Sequence, residues 1–192
     1  MTRFPKLLLT LSIGSAFALP AAVAQTSLTP ASAVLSKASA GVTVADSTFV
    51  KKAASGGIAE VELGQLALQK ASSPDVKQFA QRMVNDHTKA NGQLKQVAAD
   101  EHIRLPQSMS AKDKATKDTL ANLSGDDFDR AYMKDMVQDH RHDVAEFERE
   151  SKSAQDPAVK SFAMQTLPTL RDHLKEAERI APKDQSAQNS SR

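Results

Sequence analysis

The feature that most constrains the fold is a stretch that occurs twice, each time with a histidine on the apolar side of a predicted helix. The first copy reads MVNDHTKANGQL over residues 83–94, and the second reads MVQDHRHDVAEF over residues 136–147. In both, apolar residues recur at helical spacing, which is typical of amphipathic helices. His87 and His140 therefore lie on faces that we expect to be buried. A third Asp-His pair brings His173 into the last predicted helix.

The first 24 residues predict a secretory signal peptide. Arg3 and Lys6 precede an apolar run from Leu7 to Leu19, and an A-x-A cleavage site ends at Ala24. This run is shorter than the roughly 20 residues that a membrane helix needs. We therefore expect no membrane span after cleavage, with an uncleaved anchor as the alternative. The segment indicates a bacterial protein that is periplasmic or secreted.

Composition excludes several classes of function. The chain has no cysteine, so neither a disulfide nor a thiolate metal site is available. Of its 25 basic residues, two lie in the predicted signal peptide, which leaves 23 against 23 acidic residues. A net charge near zero and the absence of tryptophan are unfavourable for nucleic-acid binding. Residues 25–45 are rich in Ser, Ala, Thr and Pro and predict a flexible linker, and residues 182–192 predict a disordered tail.

The segment between linker and tail, residues 46–181, predicts an all-α domain. Long helices are expected over about 47–71, 74–103, 126–153 and 157–180, with a short helix between Ser110 and Leu123. Short turns make the first two and the last two long helices antiparallel hairpins. The connection over 104–125 can cross the full length of the bundle, which makes the second and third long helices parallel. The predicted fold is a ferritin-like four-helix bundle of two hairpins joined by a long crossover with a short extra helix.

This topology brings four polar side chains to one height. Glu60 and His87 lie about 12 residues on either side of the first turn, and His140 and His173 lie about 13 and 16 residues from the second turn. At 1.5 Å per residue, the second pair is mismatched by only about 5 Å. All four groups are therefore expected at the centre of the bundle.

The sequence also resembles an exported ferritin-like family known as domain of unknown function 4142. The resemblance extends from Ser47 to about Ala181. It is carried by four segments: ADSTFVKKAASGGIAEVELGQLAL over 45–68, FAQRMVNDHTKAN over 79–91, FDRAYMKDMVQDH over 128–140 and LPTLRDHL over 167–174. The resemblance implies a four-helix bundle and export, and it implies no particular reaction.

Two interpretations of the central groups remain open. Glu60, His87, His140 and His173 could bind a transition metal such as Fe, Mn, Zn or Cu, since imidazole and carboxylate suit these ions. Asp143 and Glu176 lie one turn after their histidines and are candidate outer ligands or partners. A di-iron centre is disfavoured, because Glu-x-x-His is absent and Val84, Val137 and Leu170 precede the histidines by three residues. In the other interpretation, the four groups form a buried hydrogen-bond network that fixes the register of the helices.

Two functions follow from these interpretations. The first is a metal-binding protein with a redox or stress-protective role in the cell envelope. The second is a non-catalytic envelope or stress scaffold whose Glu–His network is structural and whose surface binds a protein partner. A serine hydrolase is disfavoured, because the sequence lacks both the Gly-x-Ser-x-Gly motif and strand–helix alternation.

Overall fold

The computed structural model describes residues 41–181, and helices make up most of that range. The helices are α1 (Val44–Lys70), α2 (Pro74–Asp100), α3 (Ala111–Ala121), α4 (Gly125–Ser153) and α5 (Pro157–Ile180). The prediction of an all-α, ferritin-like bundle is confirmed. The predicted signal peptide, the predicted tail and most of the predicted linker lie outside the described residues. Among the described helices, none has the length and hydropathy that crossing a bilayer requires.

Two helix ends differ from the predictions. The first long helix was expected to begin at about residue 47, but α1 begins at Val44 and is capped by Thr43, so the last residues of the predicted linker are helical. The Thr43 hydroxyl accepts from the Asp46 amide and the Asp46 carboxylate accepts from the Thr43 amide, which is a capping box with aspartate at its third position. The second helix ends three residues early because His102 adopts a left-handed conformation, with φ of 54°.

Two carboxylates tie the hairpins together at opposite ends of the bundle. In α4, Asp129 accepts hydrogen bonds from the backbone amides of Ser72 and Ser73 in the turn between α1 and α2. In α1, Asp46 accepts from the amides of Gln155 and Asp156 in the turn between α4 and α5. Helices α2 and α4 therefore begin at the same end of the bundle, which confirms that they are parallel.

Small residues let α1 and α2 approach closely. A Cβ atom added to Gly64 would lie 2.8 Å from Val84 Cγ2 and 3.1 Å from the Ala80 carbonyl oxygen. One added to Gly57 would overlap the Asn91 side chain, whereas one added to Gly56 would meet nothing within 4 Å. A side chain at Gly64 would therefore overlap with α2, whereas Gly56 has room for one.

The apolar core consists of two clusters, and the polar groups lie between them. One cluster includes Phe49, Leu94, Phe147 and Leu170, and the other includes Leu63, Met83, Met136 and Ala177. Along each of the four long helices, the change from one cluster to the other occurs at a buried polar residue. These residues are Glu60, His87, His140 and His173. They form one polar layer across the bundle.

Candidate metal centre

The structure brings together the three histidines that the sequence singled out. His140 and His173 are fully buried and His87 is 6% exposed. The ring centroids lie 5.8 Å apart for His87 and His140, and 5.4 Å apart for each of the other two pairs. One ring nitrogen from each histidine lies within 4.8 Å of the other two. Three nitrogens around one ion at a bond length of about 2.1 Å would be about 3.5 Å apart, so inward shifts of less than about 1 Å would complete a site.

In His140 and His173, a hydrogen bond to one ring nitrogen determines which nitrogen carries the proton and which keeps its lone pair. His140 Nδ1 lies 3.0 Å from the Met136 carbonyl oxygen, and His173 Nε2 lies 2.8 Å from Asp86 Oδ2. Both partners can only accept, so these nitrogens carry the protons and the opposite nitrogens keep their lone pairs. Those opposite atoms, His140 Nε2 and His173 Nδ1, together with His87 Nε2, are buried and have no hydrogen-bond partner within residues 41–181.

Burial keeps the three imidazoles uncharged. It lowers the pKa of His87 well below its usual value, and repulsion from the charges that His140 and His173 would carry lowers it further. Burial, together with His173, lowers the pKa of His140 to about 4. Burial also lowers the pKa of His173, although the Asp86 hydrogen bond acts in the opposite direction. At neutral pH the rings therefore offer lone pairs rather than positive charges, which is the state that metal binding requires.

Glu60 lies beside the cluster and not within it. Its Oε1 is 3.9 Å from His140 Nδ1, the proton-bearing edge of that ring, which is too far for a hydrogen bond. Neither Glu60 oxygen has a hydrogen-bond partner in the described part of the chain. Burial raises the pKa of the Glu60 carboxyl well above its usual range, and the nearby Asp139 raises it further. The hydrogen bonds between Glu60 and the imidazoles that a structural network would use are therefore not made.

The outer partners differ from those expected. Glu176 does not contact the imidazoles, because it is paired with Arg82 at 2.7 Å. The hydrogen-bond partner of His173 is Asp86 of α2, and Arg82 forms an ion pair with Asp86 at 3.4 Å. Asp86 is about 100° round α2 from His87, a direction that faces α5. The repeated Asp-His pairs in the sequence were the available signal that an aspartate contacts a histidine. The aspartate bound to His173 is however Asp86, which precedes His87, and not the one that precedes His173 itself.

A cavity of about 620 Å³ leads towards the cluster. His87 lines it together with Asp139 and Asp143. Burial, with the neighbouring Asp139 charge, raises the pKa of Asp143 to about 8. Asp143 thus faces this cavity, and it is not a hydrogen-bond partner of any of the three imidazoles in residues 41–181.

The architecture and this cluster define a ferritin-like four-helix bundle with a buried three-histidine centre. The chain belongs to the family described as Domain of unknown function (DUF4142), whose model matches residues 31–180. No curated protein matches the chain.

Solved structures share the fold. A DUF305 fragment from Deinococcus radiodurans is 17% identical with a TM-score of 0.65, and the match covers 73% of this chain and 97% of that one. CopM in its Cu(II)-bound form is 18% identical with a TM-score of 0.60, and the match covers 70% of this chain and 93% of that one. A DUF305 protein from Streptomyces coelicolor is 15% identical with a TM-score of 0.61, and the match covers 71% of this chain and 93% of that one. At these identities the likeness concerns the fold.

Proposed function

We propose that the protein binds one transition-metal ion through His87, His140 and His173. Two observations on the same three buried histidines carry this proposal. One ring nitrogen of each lies within 4.8 Å of those of the other two, and each ring has a buried nitrogen with no hydrogen-bond partner in residues 41–181. A buried polar group without a hydrogen-bond partner lowers the stability of the fold by about 1–3 kcal/mol, so three of them together are strongly destabilising unless a ligand binds them. A bound ion would satisfy all three at once.

Copper is the first ion to test. Three uncharged imidazoles without a carboxylate among them suit copper or zinc better than manganese, which prefers oxygen ligands. CopM, which has a similar fold, has been solved in Cu(I)-bound, Cu(II)-bound and silver-bound forms. Two buried methionines, Met83 and Met136, lie one helical turn before His87 and His140, and thioethers are among the ligands that favour Cu(I). In this proposal Glu60 is a neighbour of the site and not a ligand, since its Oε1 lies 3.9 Å from Nδ1, the proton-bearing nitrogen of His140.

The proposed setting is the cell envelope, where the protein would hold copper and limit its redox damage. Support comes from the predicted signal peptide over residues 1–24 and from the Streptomyces coelicolor relative, which is named as a candidate secreted protein. The structural-scaffold alternative, with a protein partner in the envelope, has less support, since Glu60 makes no hydrogen bond to the imidazoles.

Anaerobic Cu(I) titration of the mature protein against a chromophoric chelator tests the proposal. We expect one ion per chain, and at least a 100-fold loss of affinity in His87→Gln and His140→Gln. His142→Gln is the matched control, because His142 lies on α4 but is 73% exposed. Circular dichroism should show the same helicity in all variants. Equal Cu(I) affinity in the wild type and the His140 variant would overturn the proposal, and so would equal losses in the His140 and His142 variants.

A further inference from the structure

The three histidines differ in how near they lie to solvent. His140 and His173 are fully buried, whereas His87 is 6% exposed and is the one of the three that lines the cavity of about 620 Å³. Its Nε2 is buried and has no hydrogen-bond partner in residues 41–181. The imidazole layer therefore meets the cavity at His87.

Helices α1, α3 and α4 all contribute to the walls of this cavity. Gly56 lines it from α1, Thr116 from α3 and Asp139 from α4. A water molecule takes up about 30 Å³ in the liquid, so the cavity has room for an ion together with several water molecules. An ion in the cavity therefore keeps much of its hydration shell until it reaches His87.

Between α2 and α5, by contrast, a network of ion pairs closes the layer. Arg82 of α2 lies 2.7 Å from Glu176 of α5 and 3.4 Å from Asp86. Asp86 in turn lies 2.8 Å from Nε2 of His173. An ion that entered on this side would have to separate these charges and break the hydrogen bond to His173. Entry through the cavity requires neither change.

We infer that small solutes reach the imidazole layer through this cavity, and that a metal ion enters by the same route and meets His87 as its first ligand. The entry of an ion concerns the site described above and therefore rests on the proposed function. A narrower route slows entry and release by the same factor, so both rates fall while their ratio, the affinity, stays the same. Loss of a ligand would instead lower the affinity.

Gly56→Phe narrows the cavity, and Gly92→Phe is the matched control. An added Cβ meets nothing within 4 Å at either glycine, so neither substitution begins with a clash. Gly56 is half-buried and lines the cavity, whereas Gly92 is exposed on α2 and is not part of the lining. Both variants exchange a helical glycine for the same residue, so the change in helix propensity is equal.

Stopped-flow fluorescence of Tyr132, the single tyrosine of a chain without tryptophan, follows loading with Cu(II). The ring centroid of Phe79 lies 6.3 Å from that of Tyr132 and 6.4 Å from that of His173, so bound Cu(II) is near enough to quench the fluorescence. We expect Gly56→Phe to slow both the quenching and the recovery after EDTA is added at least tenfold, with an affinity within twofold of the wild type. Gly92→Phe should match the wild type in all three quantities.

The metal-free protein gives a second readout that does not depend on copper. Diethyl pyrocarbonate modifies uncharged imidazoles, and mass spectrometry identifies which histidines have reacted. We expect His87 to react while His140 and His173 do not. Gly56→Phe should slow the reaction of His87 at least fivefold and leave that of His102, which is exposed and outside the cavity lining, unchanged.

The two measurements separate the route from the metal site. Equal Cu(II) rates in Gly56→Phe and Gly92→Phe would overturn the inferred route and leave the proposed function intact, as would modification of His140 or His173 ahead of His87. Absence of copper binding in the wild type at equilibrium, with His87 protected by Gly56→Phe, would overturn the metal site and leave the cavity as the route for small solutes.

Discussion

Replacing Asp86 with asparagine tests how the imidazole centre is oriented. Asp86 Oδ2 lies 2.8 Å from His173 Nε2, which keeps the proton on Nε2 and the lone pair on Nδ1. Asparagine has the same shape without the charge, so it accepts the same proton more weakly and makes Nδ1 less basic. If its NH₂ group turned towards the ring, it would donate to Nε2 and the proton would move to Nδ1. Metal binding would then be blocked at that atom.

The expected loss is 10- to 100-fold in Cu(I) affinity, or about 1.4–2.7 kcal/mol, which is the usual effect of removing an outer-shell carboxylate. The assay is the anaerobic competition with a chromophoric chelator. The matched control is Asp172→Asn, since Asp172 is 68% exposed and lies 3.9 Å from the same Arg82 that holds Asp86. A change of less than twofold in Asp86→Asn, or an equal loss in the control, would refute the reasoning.

Two further predictions concern pH and packing. Because the pKa of His140 is lowered to about 4 and those of its two partners are also lowered, Cu(I) affinity should change less than threefold between pH 8 and pH 6. Three imidazoles with ordinary pKa values near 6.5 would instead lose affinity roughly 70-fold, so the same titration at both pH values distinguishes the cases. For packing, Gly56→Ala should stabilise the protein by about 1 kcal/mol, whereas Gly64→Ala should be less stable than Gly56→Ala by about 1–3 kcal/mol, because its Cβ would lie 2.8 Å from Val84 Cγ2. The two variants gain the same helix propensity, so urea unfolding that ranks them equally would contradict the close packing of α1 and α2.

The fold and the convergence of the histidines could be predicted from the sequence. Helical periodicity located the buried faces, and the lengths of the turns and of the crossover set which helices are parallel. Counting residues from the turns then placed His87, His140 and His173 at one height, and the structure places them there. Counting residues gives the height of a side chain in the bundle because each residue of a straight helix adds the same rise along the axis.

The outer partners could not be predicted in the same way. Asp143 and Glu176 were chosen because they follow their histidines by one turn, which is a rule for contacts within one helix. The observed partner of His173 is Asp86, which reaches across from α2, and its direction depends on how α2 and α5 pack. Helical spacing predicts the face on which a residue lies. It does not predict which neighbouring helix that face meets, or which nitrogen of a ring is left free.

The contacts at the two ends of the bundle bear on whether the polar layer is needed for the register of the helices. Asp129 and Asp46 each bind the turn of the opposite hairpin, so the two hairpins are aligned at both ends without any contribution from the layer. Replacing His87, His140 and His173 together with leucine should therefore leave the helicity unchanged. Each histidine has a buried nitrogen without a hydrogen-bond partner, at a cost of about 1–3 kcal/mol, so exchange for apolar side chains of similar size should raise the free energy of unfolding. Urea unfolding followed by circular dichroism measures both quantities. A triple variant that lost its helical bundle or its cooperative transition would show that the histidines hold the register, and the structural interpretation of the layer would then be preferred to the metal site.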